Sequence, residues 1–126
     1  MTTEMMTGYR ATMFDGEAGL NWLRPGWRGL RLYARKAKEA IKTGDTAFKA
    51  DMIHRADQLL TLMSGMLDTG AGTTLGPVLM NIYASLHLNL LRANIDDDTA
   101  ALDEFDQAID KLMRDILQTS EISAAA

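Results

Sequence analysis

At 126 residues, 47% apolar and 24% charged, the chain is sized for one domain that buries a core without disulfides or metals. The lack of cysteine excludes disulfides, thiol nucleophiles and thiolate metal sites, and no run approaches the roughly 18 apolar residues of a membrane-spanning helix. The net charge of −4 conceals an asymmetry, because residues 1–63 carry ten Lys/Arg against seven Asp/Glu and residues 64–126 carry three against ten.

Residues 1–19 are rich in Met, Thr and Gly, contain Tyr9 and Phe14, and show no sustained period, which predicts a flexible N-terminal tail. The start has neither a basic end nor an apolar run, so it does not read as a secretory signal, and the chain is expected in the cytoplasm. Leu23, Trp27, Leu30, Ala34, Ala37 and Ile41 then recur at spacings of 4, 3, 4, 3 and 4, the seam of a first helix. Pro25 falls in its first turn and Gly44 ends it. Asp45 suits the N-cap of a second helix, whose apolar face is Phe48, Met52, Ala56, Leu59, Met63 and Met66, running to about Leu67. Residues 68–74 read as a loop by composition.

A third helix follows, with Pro77 in its first turn and its end near Asn94. At about 100° per residue, Leu75, Leu79, Ile82, Tyr83, Leu86, Leu90 and Ala93 form one stripe, the expected core face. Tyr83 is expected to pack there with its hydroxyl hydrogen-bonded. Met80, Ala84, Leu88 and Leu91, with His87, make a second apolar lobe, leaving Asn81, Ser85, Asn89 and Arg92 as a narrow polar strip. Either the helix sits centrally with both faces in the core, or the lobe is covered by the chain's own tail or a partner helix. Asp97 or Asp98 can cap a fourth helix with the seam Leu102, Phe105, Ile109, Leu112 and Ile116, and the chain is expected to fray after Thr119.

Four helices with short connections predict an all-α, antiparallel up-down-up-down four-helix bundle over 20–119, between the 1–19 tail and a frayed 120–126. First and last helices are then neighbours. This suits their charges, since Arg24 to Lys42 holds seven cations and one anion and Asp96 to Asp115 holds eight anions and two cations. Such a pairing gives modest attraction and a bias against wrong helix partners.

Bundles often house metals or phosphotransfer histidines. A di-iron centre requires Glu-x-x-His on two helices; here Asp51-Met52-Ile53-His54 is the lone imitation. His54 is predicted to face water, but Asp51 and Asp57 stand three residues to either side and repel a phosphate. No Ser has triad partners, and the glycines follow no phosphate-binding spacing. Enzyme activity, metal and cofactor are therefore not expected. A histidine-phosphotransfer bundle and an RNA-binding bundle using Arg24, Arg28, Arg31 and Arg35 stay as rival readings, the second disfavoured by net acidity and few aromatic residues.

Over roughly residues 22–117 the chain resembles the FliS-type flagellar export chaperones. The second helix follows the family's Ile-x-x-Ala-x-x-Ile/Leu-Ile/Leu-x-x-Leu-x-x-x-Leu pattern through Ile53, Ala56, Leu59, Leu60, Met63 and Leu67. The third follows Leu-x-x-Leu-Tyr-x-Tyr-x-x-x-x-Leu-x-x-Ala-Asn through Leu79, Ile82, Tyr83, Leu90, Ala93 and Asn94, and an acidic turn comes next. Helix one matches through Gly29, Ala37, Ala40-Ile41 and Gly44-Asp45. The chain departs from the pattern at Trp27-Arg28-Gly29-Leu30, where the family has Tyr-Asp-Gly-Ala, and at Ser85 in the second aromatic position.

The resemblance implies a cytoplasmic chaperone that wraps the disordered C-terminal segment of flagellin around the bundle, blocks premature polymerisation and presents the subunit to type III export, with the export gate as a further partner. Met80, Ala84, His87, Leu88 and Leu91 are the expected contact residues, and Tyr9 resembles the family's N-terminal aromatic on a tail able to cover the empty groove. The protein is expected to be a monomer or weak homodimer.

Overall fold

The computed structural model describes residues 17–67 and 75–125, with side chains over 23–67 and 75–116. Four helices, α1 (Glu17–Thr43), α2 (Thr46–Gly65), α3 (Leu75–Asp96) and α4 (Thr99–Ala125), account for nearly all of it, and the described residues contain no strand. Helix α1 packs against α2 and α4, and α3 packs against the same two, so α1 and α3 stand on a diagonal. Cross-helix pairs fix the directions. Arg31 meets Asp106 and Asp110 while Lys38 meets Asp103, and Lys49 meets Asp97 while His87 meets Asp57. In each set one number rises as the other falls, the mark of an antiparallel up-down-up-down bundle. The 68–74 loop lies outside the described residues.

Local chemistry sets most helix ends. At the α1–α2 turn the Gly44 N–H donates to the Ile41 carbonyl at 3.2 Å and the Asp45 N–H to the Ala40 carbonyl at 2.9 Å, the Schellman pattern that closes a helix with a residue at positive φ. Gly44 is that residue, at φ 75°. Asp45 accepts from the Phe48 N–H at 3.0 Å and so caps α2 as its position suggests. Asp98, rather than Asp97, caps α4, accepting from the Ala101 N–H at 3.2 Å. Gly44→Ala places a Cβ at positive φ with open space around it. The expected result is a loss of about 1 kcal/mol, a fall in Tm of roughly 4 °C by calorimetry.

Several boundaries differ from the sequence expectation. Helix α1 begins at Glu17, so Pro25 lies inside it and not in its first turn. A proline removes one helical hydrogen bond, but Leu23 and Trp27, buried on either side of it, hold both flanks to the core. Helix α3 runs to Asp96, two residues past Asn94, and α4 continues through Ala125, past Thr119. Phe48 is not on the core face of α2; it is 41% exposed, and the buried positions there are Lys49, Met52, Ile53, Ala56, Leu60 and Met63.

The core is built from the predicted seams, with Trp27, Tyr83 and Phe105 its largest fully buried side chains. Trp27 Nε1 donates to the Tyr83 hydroxyl at 3.0 Å, joining the diagonal helices α1 and α3 through the centre. Burial pushes the Tyr83 phenol up to about 12, the Trp27 hydrogen bond acting weakly the other way. Gly26 and Gly29 face Met63 and Leu59, and a Cβ at Gly26 would stand 2.7 Å from the Met63 methyl, which would have to swing aside, so α1 and α2 approach closely. On the other side of α1 the basic and acidic segments meet as charge predicts. Arg31 Nε donates to Asp106 at 2.8 Å and Nη1 to Asp110 at 3.2 Å. Burial raises the Asp106 carboxyl, but the hydrogen bonds and charge of Arg31, with Arg35, outweigh it and hold the group below the usual carboxylate range.

Candidate functional site

The second apolar lobe of α3 faces outward. Met80 is 38%, Leu88 61% and Leu91 53% exposed, Ala84 is exposed and His87 half-buried. The alternative in which both faces of α3 enter the core therefore fails. With only α2 and α4 against it, this helix has one side left over. Ile95, 68% exposed, extends the row at the same four-residue spacing from Leu91. The sequence carried that signal, since the period that linked Met80, Ala84 and Leu88 continues past Leu91. Val78, also exposed, lies towards the polar strip. Tyr9 lies outside the described residues.

Beside this row, between α2 and α3, lies an open groove of about 340 Å³ lined by Ala50, Ile53, His54, Asp57, His87, Leu90, Leu91 and Asn94. Its floor is apolar and its rim polar. His87 Nδ1 and Asp57 Oδ1 stand 2.8 Å apart across it; the ionised carboxylate only accepts, so the ring donates from Nδ1. His87 thus straps α3 to α2 at the edge of the exposed row while its other ring edge remains available. Lys49 makes a second strap. Its buried ammonium donates to the Asn94 carbonyl at 3.2 Å and to the Asp97 carboxylate, satisfying one of the orphan carbonyls at the end of α3 and holding Asp97 at φ 52°. Asn94 is a helix-end residue through its backbone. Nothing in the local sequence marked Lys49 as buried, because its partners come from forty-five and forty-eight residues away.

The rival chemistries find little here. His54 is exposed, with Asp57 engaged by His87 and Asp51 by Arg55, so carboxylates stay within a turn on both sides. Among the described residues no group of three His, Asp or Glu side chains is placed to hold a metal ion. Of the four arginines that an RNA surface would use, Arg31 and Arg35 are committed to α4. No helix among the described residues is long and apolar enough to cross a membrane.

Residues 27–119, well over half the chain, match the family pattern of the flagellar protein FliS. The chain belongs to the FliS family. No curated protein matched the chain. FliS proteins are non-catalytic chaperones. The family motif turns out to be mostly fold. Leu79, Tyr83, Leu90 and Ala93 of α3 and Ile53, Ala56, Leu60, Met63 and Leu67 of the α2 segment are all buried. The exposed row Met80, Ala84, Leu88, Leu91 and Ile95 lies between those positions, outside the motif that identifies a FliS protein.

Proposed function

We infer that this FliS-family chain is a cytoplasmic chaperone that holds the C-terminal segment of flagellin along the outer face of α3, blocks its premature polymerisation and delivers it to type III export. The observation that carries the reading is the unbroken exposed row Met80, Ala84, Leu88 and Leu91 beside the α2–α3 groove. A seam at spacings of four, four and three accepts the apolar stripe of a second helix. A client disordered when free forms its helix on this preformed face, so ordering entropy offsets part of the contact energy and leaves affinity moderate enough for release at the export gate. The thioether of Met80 tolerates imperfect fit, and His87 supplies a polar tip at the rim. Tyr9 and the N-terminal segment act as a removable cover for the same face.

Calorimetric titration of the full chain with a flagellin C-terminal peptide, followed in parallel by circular dichroism, tests this. Saturable binding with a gain in peptide helicity and a negative heat-capacity change is the expected result; no heat and no helix gain would refute it. A chain starting at Glu17 keeps all of α1 and is expected to bind the peptide more tightly. Equal affinity ends the cover idea while leaving the α3 face intact.

A further inference from the structure

We propose that the junction of α1 and α2 is a second docking surface, for an acidic protein segment with an apolar anchor, separate from the client face on α3. Leu32 and Leu62 are 50% and 58% exposed. Their positions are linked. Gly29 of α1 lies against Leu59 of α2, where an added Cβ would stand 3.1 Å from the Leu59 methyl. Leu32 is one turn beyond Gly29 and Leu62 one turn beyond Leu59, and the helices are antiparallel. The two leucines therefore diverge to either side of that contact, giving a diagonal strip Leu32, Gly29, Leu59, Leu62. Gly29 keeps the middle of the strip shallow, so an incoming side chain can reach the Leu59 methyls between the flanking leucines.

Charge selects the occupant. Arg28 and Lys36 sit four residues before and after Leu32, both exposed, and neither makes an ion pair among the described residues. Arg31, Arg35 and Lys38 of the same helix are held by α4, and among the cations left over on it Arg28 and Lys36 are the two that flank Leu32. Glu39 is the lone acid between Arg24 and Lys42, and on the facing side of α2 Asp51 is paired with Arg55. A polyanion without apolar anchors leaves the leucines unused. RNA also lacks a stacking platform, because Trp27 is 1% exposed and Tyr33 packs against the core. An amphipathic protein segment with Leu-like anchors and flanking Asp/Glu fits both features. Since α1 and α3 are diagonal, both faces can be filled at once, one by a client and one by an accessory or export protein.

The test uses the full chain and a synthetic helical peptide of about 18 residues with leucines on one stripe and glutamates beside it. Arms with lysine for glutamate and with a single-stranded RNA oligonucleotide run alongside. NMR shift mapping is expected to place the acidic peptide on Arg28, Leu32, Lys36 and Leu62. Binding should fall about tenfold or more in R28E/K36E and also on raising salt from about 0.05 to 0.3 M, while L88E/L91E leaves it unchanged. Thermal melts check that each variant is folded. Shifts centred on Met80 to Ile95, equal binding of the lysine peptide, an affinity indifferent to R28E/K36E, or RNA binding in place of the peptide would each overturn the proposal. Because flagellin peptide binding is read separately on α3, a failure here leaves the client-binding reading standing.

Discussion

Trp27→Ala is expected to lower stability by about 3–5 kcal/mol, a large share of the roughly 5–15 kcal/mol that holds a domain of this kind. The indole is 1% exposed and packs among residues of all four helices, so its removal leaves a cavity that the bundle can collapse only in part. The cost also falls on a hydrogen bond, because the Tyr83 hydroxyl loses the Nε1–H donor held at 3.0 Å. Urea denaturation followed by circular dichroism measures the difference; a midpoint shift worth under about 1 kcal/mol would contradict this account of the core. Tyr83→Phe is the gentler probe. It keeps the ring and strands the buried Trp27 N–H without an acceptor, an expected loss of about 1–3 kcal/mol.

The same pair sets an alkaline limit. In the unfolded chain a tyrosine titrates near 10, while in the fold burial moves Tyr83 to about 12. Between those values the unfolded state has released a proton that the native state still holds. Stability from this group is complete below about pH 10 and falls as pH rises towards 12, by roughly 2–3 kcal/mol in all. The Tyr83→Phe variant lacks that decline. Denaturation midpoints taken across the alkaline range for both proteins should converge as pH rises; parallel curves would disprove the assignment.

The second large effect is on binding. Leu88→Glu with Leu91→Glu is expected to weaken the flagellin C-terminal peptide about 100-fold while shifting stability by about 0.5 kcal/mol or less per site. The leucines are 61% and 53% exposed, so each has about half of its surface still to bury, worth roughly 1 kcal/mol, and a carboxylate on the seam adds its own desolvation penalty. Together these exceed the 1.4 kcal/mol of one decade and approach two. Leu32→Glu, on the diagonally opposite helix, is the matched control and should bind the peptide as the parent chain does. Full affinity in the α3 double variant would move the client elsewhere.

The caps and seams were legible because they are local: Asp45, Gly44 and Asp98 act on residues within five positions, and the spacing from Leu23 to Ile41 repeats every turn. Phe48 shows where that reading ends. It lies on the same face as Leu59, eleven residues later at about 100° per residue, yet it is 41% exposed, and no one-helix pattern shows how far along that face the neighbouring helix packs. Pro25 is similar, since a proline is normally a start signal and only the burial of Leu23 and Trp27 on either side carries the helix through it. The α3 lobe was visible as surplus, and the motif of the family ran past it, but whether a third neighbour covered the surplus was a question of packing.

The number, order and polarity of the helices, their core stripes, the mating of a basic with an acidic helix, and the FliS family can all be read along the chain. These follow from periodicity, capping and net charge, which act over a turn or along one face. Packing between the helices settled the rest: α1 and α3 are diagonal, Lys49 is buried against the end of α3, Arg31 and Arg35 are used up by α4, and the row from Met80 to Ile95 meets solvent. Each of these depends on which helix lies across from a side chain, and an apolar or charged residue carries no record of its neighbour until the chain has closed around it.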